Sequence, residues 1–355
     1  MGEERGMQRS TTIKDIASRA GVSLRAVSLA INGQKGVSET TRENILRIAK
    51  EMDYTPNVLA RGLAGNRSFL IGVIFPYLNF SFLSRILAGI EKRTVSQGYE
   101  ILLCSSSYEE LAFMANDLDN ERQAIERMLS RQVDAIVCLP DPRAYELYSG
   151  VLNKGVPVLQ LLRVVPHLPA PFLCVDNESG AFDETEYLLE LGHRQVGFIG
   201  YTDDSFTEVS QRYRGYLRAM MARDHSVDLR RVTVGCDLTF EGGFAAMKSL
   251  LVQAPRLTAV VGATDYAAVG AIAACLDSGL RVPEDISVVG FDDLEAASLQ
   301  SSHPLTTVCQ PKELLGELAF DLAYTMISGG KVESVTLRPP LVIRKSSGPV
   351  GGLHP

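Results

Sequence analysis

From Ser68 onward short apolar runs alternate with amphipathic stretches, and this alternation leaves few folds open. The first series reads FLIGVIF, a helical pattern over 81–97, YEILLC, a pattern over 116–131, VDAIVCL, a pattern over 142–154 and VPVLQLL. The second reads FLCVD, 178–191, QVGFIG, 207–223, VTVG, 240–253, TAVVGA, 265–278 and ISVVGF. Runs this uniformly apolar have no face left for water, so they fit strands of parallel sheets covered by helices on both sides. Two such series in tandem predict two α/β subdomains facing a cleft. A small ligand would sit there, at the carboxyl ends of the strands.

The residues before Ser68 have a different texture. Thr12 is placed to cap a helix whose apolar residues Ile13, Ile16, Ala17 and Ala20 recur at helical spacing, and Asp15 can answer that cap. Gly21 ends this helix. Ser23 caps a second, which turns Val27 and Ile31 inward and stops at Asn32-Gly33; Ser38 caps a third, with Ile45, Ile48, Ala49 and Met52 as its inner stripe. Leu24, Arg25, Ser28 and Leu29 fall on the outer face of the second helix. Three short helices, the first two joined by a tight turn containing Gly, fit a helix-turn-helix whose second helix enters the DNA major groove. An ordinary three-helix bundle fits the same spacing.

Charge helps to separate these readings. The 355 residues carry a net charge of -7, which taken alone argues against a nucleic-acid partner. Residues 1–66, however, hold ten Lys and Arg against seven Asp and Glu, a balance of +3 that leaves -10 for the rest. The basic end therefore coincides with the three short helices. The six cysteines lie mostly in apolar runs without a C-x-x-C pair, a pattern of reduced thiols in a cytosol.

MGEERGMQRS lacks the apolar stretch of a signal peptide, and no run of about 18 apolar residues follows. The expectation is a soluble cytoplasmic protein without a membrane partner, residues 1–10 forming a loose leader and 347–355 a flexible tail. No G-x-G-x-x-G opens a helix after the first strand, and G-x-x-x-x-G-K-[ST], G-x-S-x-G and H-E-x-x-H are all missing. The five histidines, His167, His193, His225, His303 and His354, are scattered. Neither an enzyme nor a cofactor or metal is expected.

TTIKDIASRAGVS, AVSLAING, GVSETTRENI and YTPNVLARGLAG occur in order, followed by IGVIFP, GHRQVGFIG, VPEDISVVGFDD and PLTTV. From about Thr11 to Arg344 the chain resembles the lactose-repressor (LacI/GalR) family of transcription regulators. The resemblance implies an all-α helix-turn-helix headpiece over 11–55, a hinge helix and linker over 56–67, and a periplasmic-binding-protein-like α/β core over 68–346. It divides that core into an N-terminal subdomain, about 68–162 plus 308–330, and a C-terminal one, 163–305 plus 333–346. It also implies a repressor that binds a pseudo-palindromic operator in double-stranded DNA as a homodimer, or as a tetramer, under control of a small-molecule effector. A sugar, a nucleoside or a related metabolite would fill that role. A two-lobed solute-binding protein and a ligand-independent architectural DNA binder are the alternatives.

By the same resemblance, Leu24, Arg25, Ser28 and Leu29 read bases. Arg25 can bond guanine O6 and N7 together, whereas Leu24 offers apolar contact, for example to a thymine methyl. Relatives often carry Arg where Leu29 stands, so the inner half-site should differ from theirs. Thr12, Ser23, Asn32 and Arg42 would position phosphates. Asn57, Ala60 and Leu63 would meet the minor groove, Leu63 as the apolar wedge; the competing reading has Leu59 and Leu63 covering the core. For the effector the resemblance indicates Arg212 and Asp292, with Phe82, Leu83, Leu162, Val175, Thr264 and Tyr266 around them. Leu162 and Thr264 stand where sugar-binding relatives place Asp and Asn, which suggests an effector less rich in hydroxyls than a hexose.

Overall fold

The computed structural model describes residues 11–31, 35–54, 67–76, 81–107, 118–200, 208–223, 228–229, 232–298 and 302–351. The chain divides into two compact units, Met1–Ser68 and Phe69–Pro355.

The first unit contains α1 (Ile13–Ala20), α2 (Leu24–Ile31) and α3 (Glu39–Glu51). Thr12 and Asp15 form the expected reciprocal cap on α1, and Gly21, at φ +64°, supplies the left-handed residue that ends it. Ser23 Oγ accepts from the Ala26 amide and Ser38 Oγ from the Thr41 amide, which starts α2 and α3. Helices this short need tertiary packing to persist. Ile16, Ala17, Val27, Ala30, Ile45, Ile48 and Ala49 supply it as one buried cluster. On α2 the buried partner of Val27 is Ala30, and Ile31 only packs against the cluster edge.

The second unit runs β1 (Leu70–Phe75), α4 (Ser81–Ser96), β2 (Glu100–Ser105), α5 (Leu118–Ser130), β3 (Ala135–Cys138), α6 (Tyr145–Asn153), β4 (Val158–Leu161) and β5 (Phe172–Val175). It continues with α7 (Asn177–Glu190), β6 (Val196–Ile199), α8 (Glu208–Arg223), β7 (Thr233–Val234), α9 (Phe240–Gln253), β8 (Ala259–Gly262), α10 (Asp265–Asp277) and β9 (Ser287–Asp292). Last come α11 (Glu295–Ser298), β10 (Thr306–Cys309), α12 (Lys312–Ile327), β11 (Val335–Leu337) and β12 (Leu341–Val342).

The strands form two sheets, in the orders β11-β5-β4-β3-β1-β2 and β12-β10-β9-β8-β6-β7. All pairs in the first sheet are parallel, and in the second only β12 runs antiparallel, against β10. The central strands are buried on both faces, as their uniformly apolar sequences require.

Strand pairing partitions the core differently from the expected boundary at 162/163. β5 pairs with β4, and β11 with β5, so both belong to the first lobe. β10 pairs with β9 and belongs to the second lobe. An apolar run marks a strand but not its neighbour, which is why periodicity left these crossings open.

The chain returns to the first lobe with α12, which packs on α4 at a crossing of two glycines. A Cβ on Gly316 would lie 2.0 Å from the Ile86 carbonyl oxygen, and one on Gly89 would lie 2.2 Å from that of Glu313. Gly316→Ala should therefore force the helices apart and destabilise the core by about 1–3 kcal/mol, read by urea unfolding. Unchanged stability would show that this crossing is soft.

All six cysteines are free thiols. Burial pushes the Cys275 thiol up to about 12, so it is unreactive at neutral pH. Among the described residues no helix is long and apolar enough to cross a membrane.

Candidate functional site

The outer face of α2 begins with Leu24, 48% exposed, and the exposed Arg25. Ser28 and Leu29 are half-buried, and Leu29 Cδ1 lies 3.0 Å from the place a Cβ on Gly36 would occupy. Leu29 thus leans on the turn before α3, and the first turn of α2 is the part that stands clear. Thr12 and Ser23 are exposed caps, each already serving its own helix. Arg42 Nη1 donates to the carbonyls of Leu29 (3.3 Å) and Ala30 (3.0 Å), closing the C-terminal end of α2, where a cation is favoured. Asn32, Asn57, Leu59, Ala60 and Leu63 lie outside the described residues.

The carboxyl ends of the core strands carry the second group of candidates. Leu162, just past β4, has φ +66°, while Asp292 and Asp293 at the end of β9 have φ +118° and +54°. Backbone held in such regions costs about 1–3 kcal/mol per residue and persists only where surrounding contacts fix it. Those contacts are present at Asp292. Its Oδ1 lies 3.1 Å from Arg212 Nη2 and accepts from Gln310 Nε2 at 2.7 Å, while Lys312 Nζ donates to its carbonyl at 2.6 Å.

Arg212 comes from α8 and is equally committed. Its Nε donates to Asn177 Oδ1 at 2.9 Å and its Nη1 to the Ala263 carbonyl at 2.7 Å. The guanidinium carbon stands 3.8 Å over the Phe291 ring, which fixes the plane of the fork. Thr264 caps α10 through the Ala267 amide. Asp265 beside it is buried and accepts from Thr307 Oγ1 and the Leu294 amide, both at 2.6 Å. Asp293 is held by Arg344 at 2.8 Å.

Three acidic groups in this region are pushed up by burial. The Asp292 carboxyl is raised despite the neighbouring Arg212, and that of Asp265 stands well above the carboxylate range because of burial and then Asp292. Glu184, on the inner face of α7, is fully buried and neither of its oxygens meets a hydrogen-bond partner among the described residues. Burial drives its carboxyl well up as well, with Arg212 opposing.

The structure therefore brings Arg212 and Asp292 into direct contact. Phe82, Leu83 and Val175 are buried members of the main apolar cluster, and Leu162 and Tyr266 pack against it. Asn177, Gln310, Lys312 and Asp265 are polar partners the sequence reading did not name, and Glu184 is a buried neighbour it did not name either. Asn177 and Gln310 carried a usable signal, since each follows an apolar strand almost directly. Glu184 carried none, because a Glu inside a helix is ordinarily a solvated residue. Among the described residues no group of three His, Cys, Asp or Glu is placed to hold a metal ion.

Comparison with known proteins bears on both regions. Residues 12–57 match the family model described as "Bacterial regulatory proteins, lacI family", and residues 185–347 match "Periplasmic binding protein-like domain". The chain is 33% identical over 340 residues to the HTH-type transcriptional repressor PurR of Pectobacterium atrosepticum, covering 94% of this chain and 96% of that protein. It is 31% identical over 338 residues to the ribose operon repressor of Haemophilus influenzae, covering 94% and 98% of the two chains. Among solved structures, the Lac repressor dimer bound to operator and the anti-inducer ONPF aligns with a TM-score of 0.80 at 29% identity, over 96% of this chain and 100% of that one.

Proposed function

Since this chain belongs to the LacI family of bacterial regulatory proteins and is a DNA-binding transcriptional repressor under small-molecule control, we propose that it reads a pseudo-palindromic operator as a homodimer. The observation that carries this reading is the exposed first turn of α2, where Leu24 and Arg25 stand clear of a helix whose other face is locked into the headpiece core. Arg25 takes a guanine edge and Leu24 an apolar base edge, with Ser28 and Leu29 behind them. Thr12, Ser23, Asn32 and Arg42 set the register on phosphates; Asn57, Ala60 and Leu63 add minor-groove contact, with Leu63 as wedge.

The effector binds at the carboxyl ends of the core strands, and the protein acts by binding alone, in the cytoplasm. Among the described residues Arg212 and Gln310 both meet the Asp292 carboxylate at Oδ1, so Oδ2 is the oxygen that takes a ligand donor. Arg212 presents its remaining N–H groups to a ligand acceptor. With Leu162 and Thr264 where strong hydroxyl partners would stand, a nucleoside or a sugar with few free hydroxyls fits this set better than a hexose.

Selection of binding sites from random-sequence DNA with the full chain tests the first half. The recovered sites should be pseudo-palindromic, and Arg25→Ala should weaken binding to them by about 1–3 kcal/mol while relaxing preference at one symmetric position. Equal losses on selected and random DNA would make Arg25 a phosphate contact, and sites without symmetry would remove the dimeric reading.

A further inference from the structure

We infer that Arg163 and Glu208 form a latch between the two lobes of the core, holding them closed and setting the equilibrium on which an effector acts. Arg163 lies just beyond β4, in the first lobe, and Glu208 opens α8, in the second. Their contact is bidentate, with Nη2 donating to Oε1 at 2.7 Å and Nε to Oε2 at 3.1 Å. Both side chains are more than nine-tenths buried.

No local sequence constraint produces this pairing, because the partners lie in different sheets' connections and 45 residues apart. Only docking of the lobes brings the fork to the carboxylate. Its surroundings suit a switchable contact. Asp141 and Glu121 of the first lobe add to the field that keeps Arg163 charged, and Arg212 of the second joins Arg163 in keeping Glu208 ionised. Asp141 is itself held by Arg143. A second ion pair also crosses between the lobes, Arg85 of α4 to Glu295 of α11 at 2.7 Å, but it is exposed and contributes little.

A buried ion pair adds little net stability, because desolvation of both ions offsets their attraction, whereas loss of one partner leaves a buried charge with no compensation. When the lobes part, both ions return to water. The pair therefore acts on the choice between open and closed more than on folding. Glu208→Gln and Arg163→Met should each open the cleft while the lobes stay folded. The inference rests on the proposed function only in treating the space between the lobes as the effector's. An effector then shifts a closure equilibrium that the latch already biases, and it must bind the two states with different affinity.

Hydrogen exchange on the full chain, without DNA or ligand, tests the latch separately from the repressor reading. In either single variant, exchange at 81–84, 162–163 and 292–294 should rise at least tenfold, with the centres of β1 and β8 unchanged. The charge-swapped pair, Arg163→Glu with Glu208→Arg, should return the cleft segments toward the parent rate. Unchanged exchange at the cleft in both single variants would overturn the proposal. A uniform rise in cleft and strand centres alike would overturn it too, since the pair would then serve folding alone.

Discussion

Arg212→Met should lower the stability of the core by about 3–5 kcal/mol and remove the response of DNA binding to the effector. Arg212 is the cation that meets the Asp292 carboxylate directly and also anchors Asn177 and the Ala263 carbonyl, so its removal takes the ion-pair partner from a buried carboxylate and a hydrogen bond from two further polar groups at once. The strained backbone at Asp292 loses one of the contacts that fixes it. Asp292→Asn separates the two consequences. An amide can still accept from Arg212 and Gln310, so the stability loss should be smaller, but the charge that would hold a ligand donor is gone.

Urea unfolding gives the first quantity. A thermal-shift screen of sugars and nucleosides, followed by titration on selected DNA, gives the second. Normal effector response in Asp292→Asn would remove this carboxylate from the ligand site, whatever the stability change.

Glu184→Leu should raise stability at neutral pH by about 1–3 kcal/mol, against the usual direction for a core substitution, because an unpartnered buried polar group is replaced by an apolar one. Glu184→Gln keeps the unmet hydrogen bonds but removes the titration. Below about pH 4.3 the carboxyl carries its proton in both the unfolded and the folded chain, and burial imposes no protonation cost. Above that pH the unfolded chain releases a proton that the folded core retains. Stability therefore falls by about 1.4 kcal/mol per pH unit until the folded group itself ionises at its raised pKa.

Asp265, raised for the same reason, contributes in the same direction. The parent should thus lose stability as pH climbs from about 4.3 toward its folded pKa, and Glu184→Gln should show a shallower decline. Parallel pH profiles for parent and Glu184→Gln would mean that Glu184 is solvated in the folded state.

Much of this protein was determined by local sequence. The caps at Thr12 and Ser38, the Gly21 turn and the inner stripes of α1 and α3 follow from hydrogen-bonding capacity and helical spacing within a few residues. The strands from β1 to β9 were legible because residues apolar on both faces have nowhere to go but the middle of a covered sheet. Arg212 and Asp292 were legible as candidates through resemblance of their short motifs to a family.

Tertiary structure alone decided the rest. Which sheet takes β5, β10 and β11 depends on edge hydrogen bonds between distant segments, and composition does not encode a partner. The same holds for the Gly89–Gly316 crossing, for Arg42 closing α2 rather than standing free, and for Glu184, whose sequence context gives no warning of burial. It holds most clearly for Arg163 and Glu208. Each is an unremarkable charge in its own segment, and the pairing exists only because two lobes built on different sheets dock, since Coulomb attraction and a matched fork act over a few ångströms of space regardless of the residues that separate the partners along the chain.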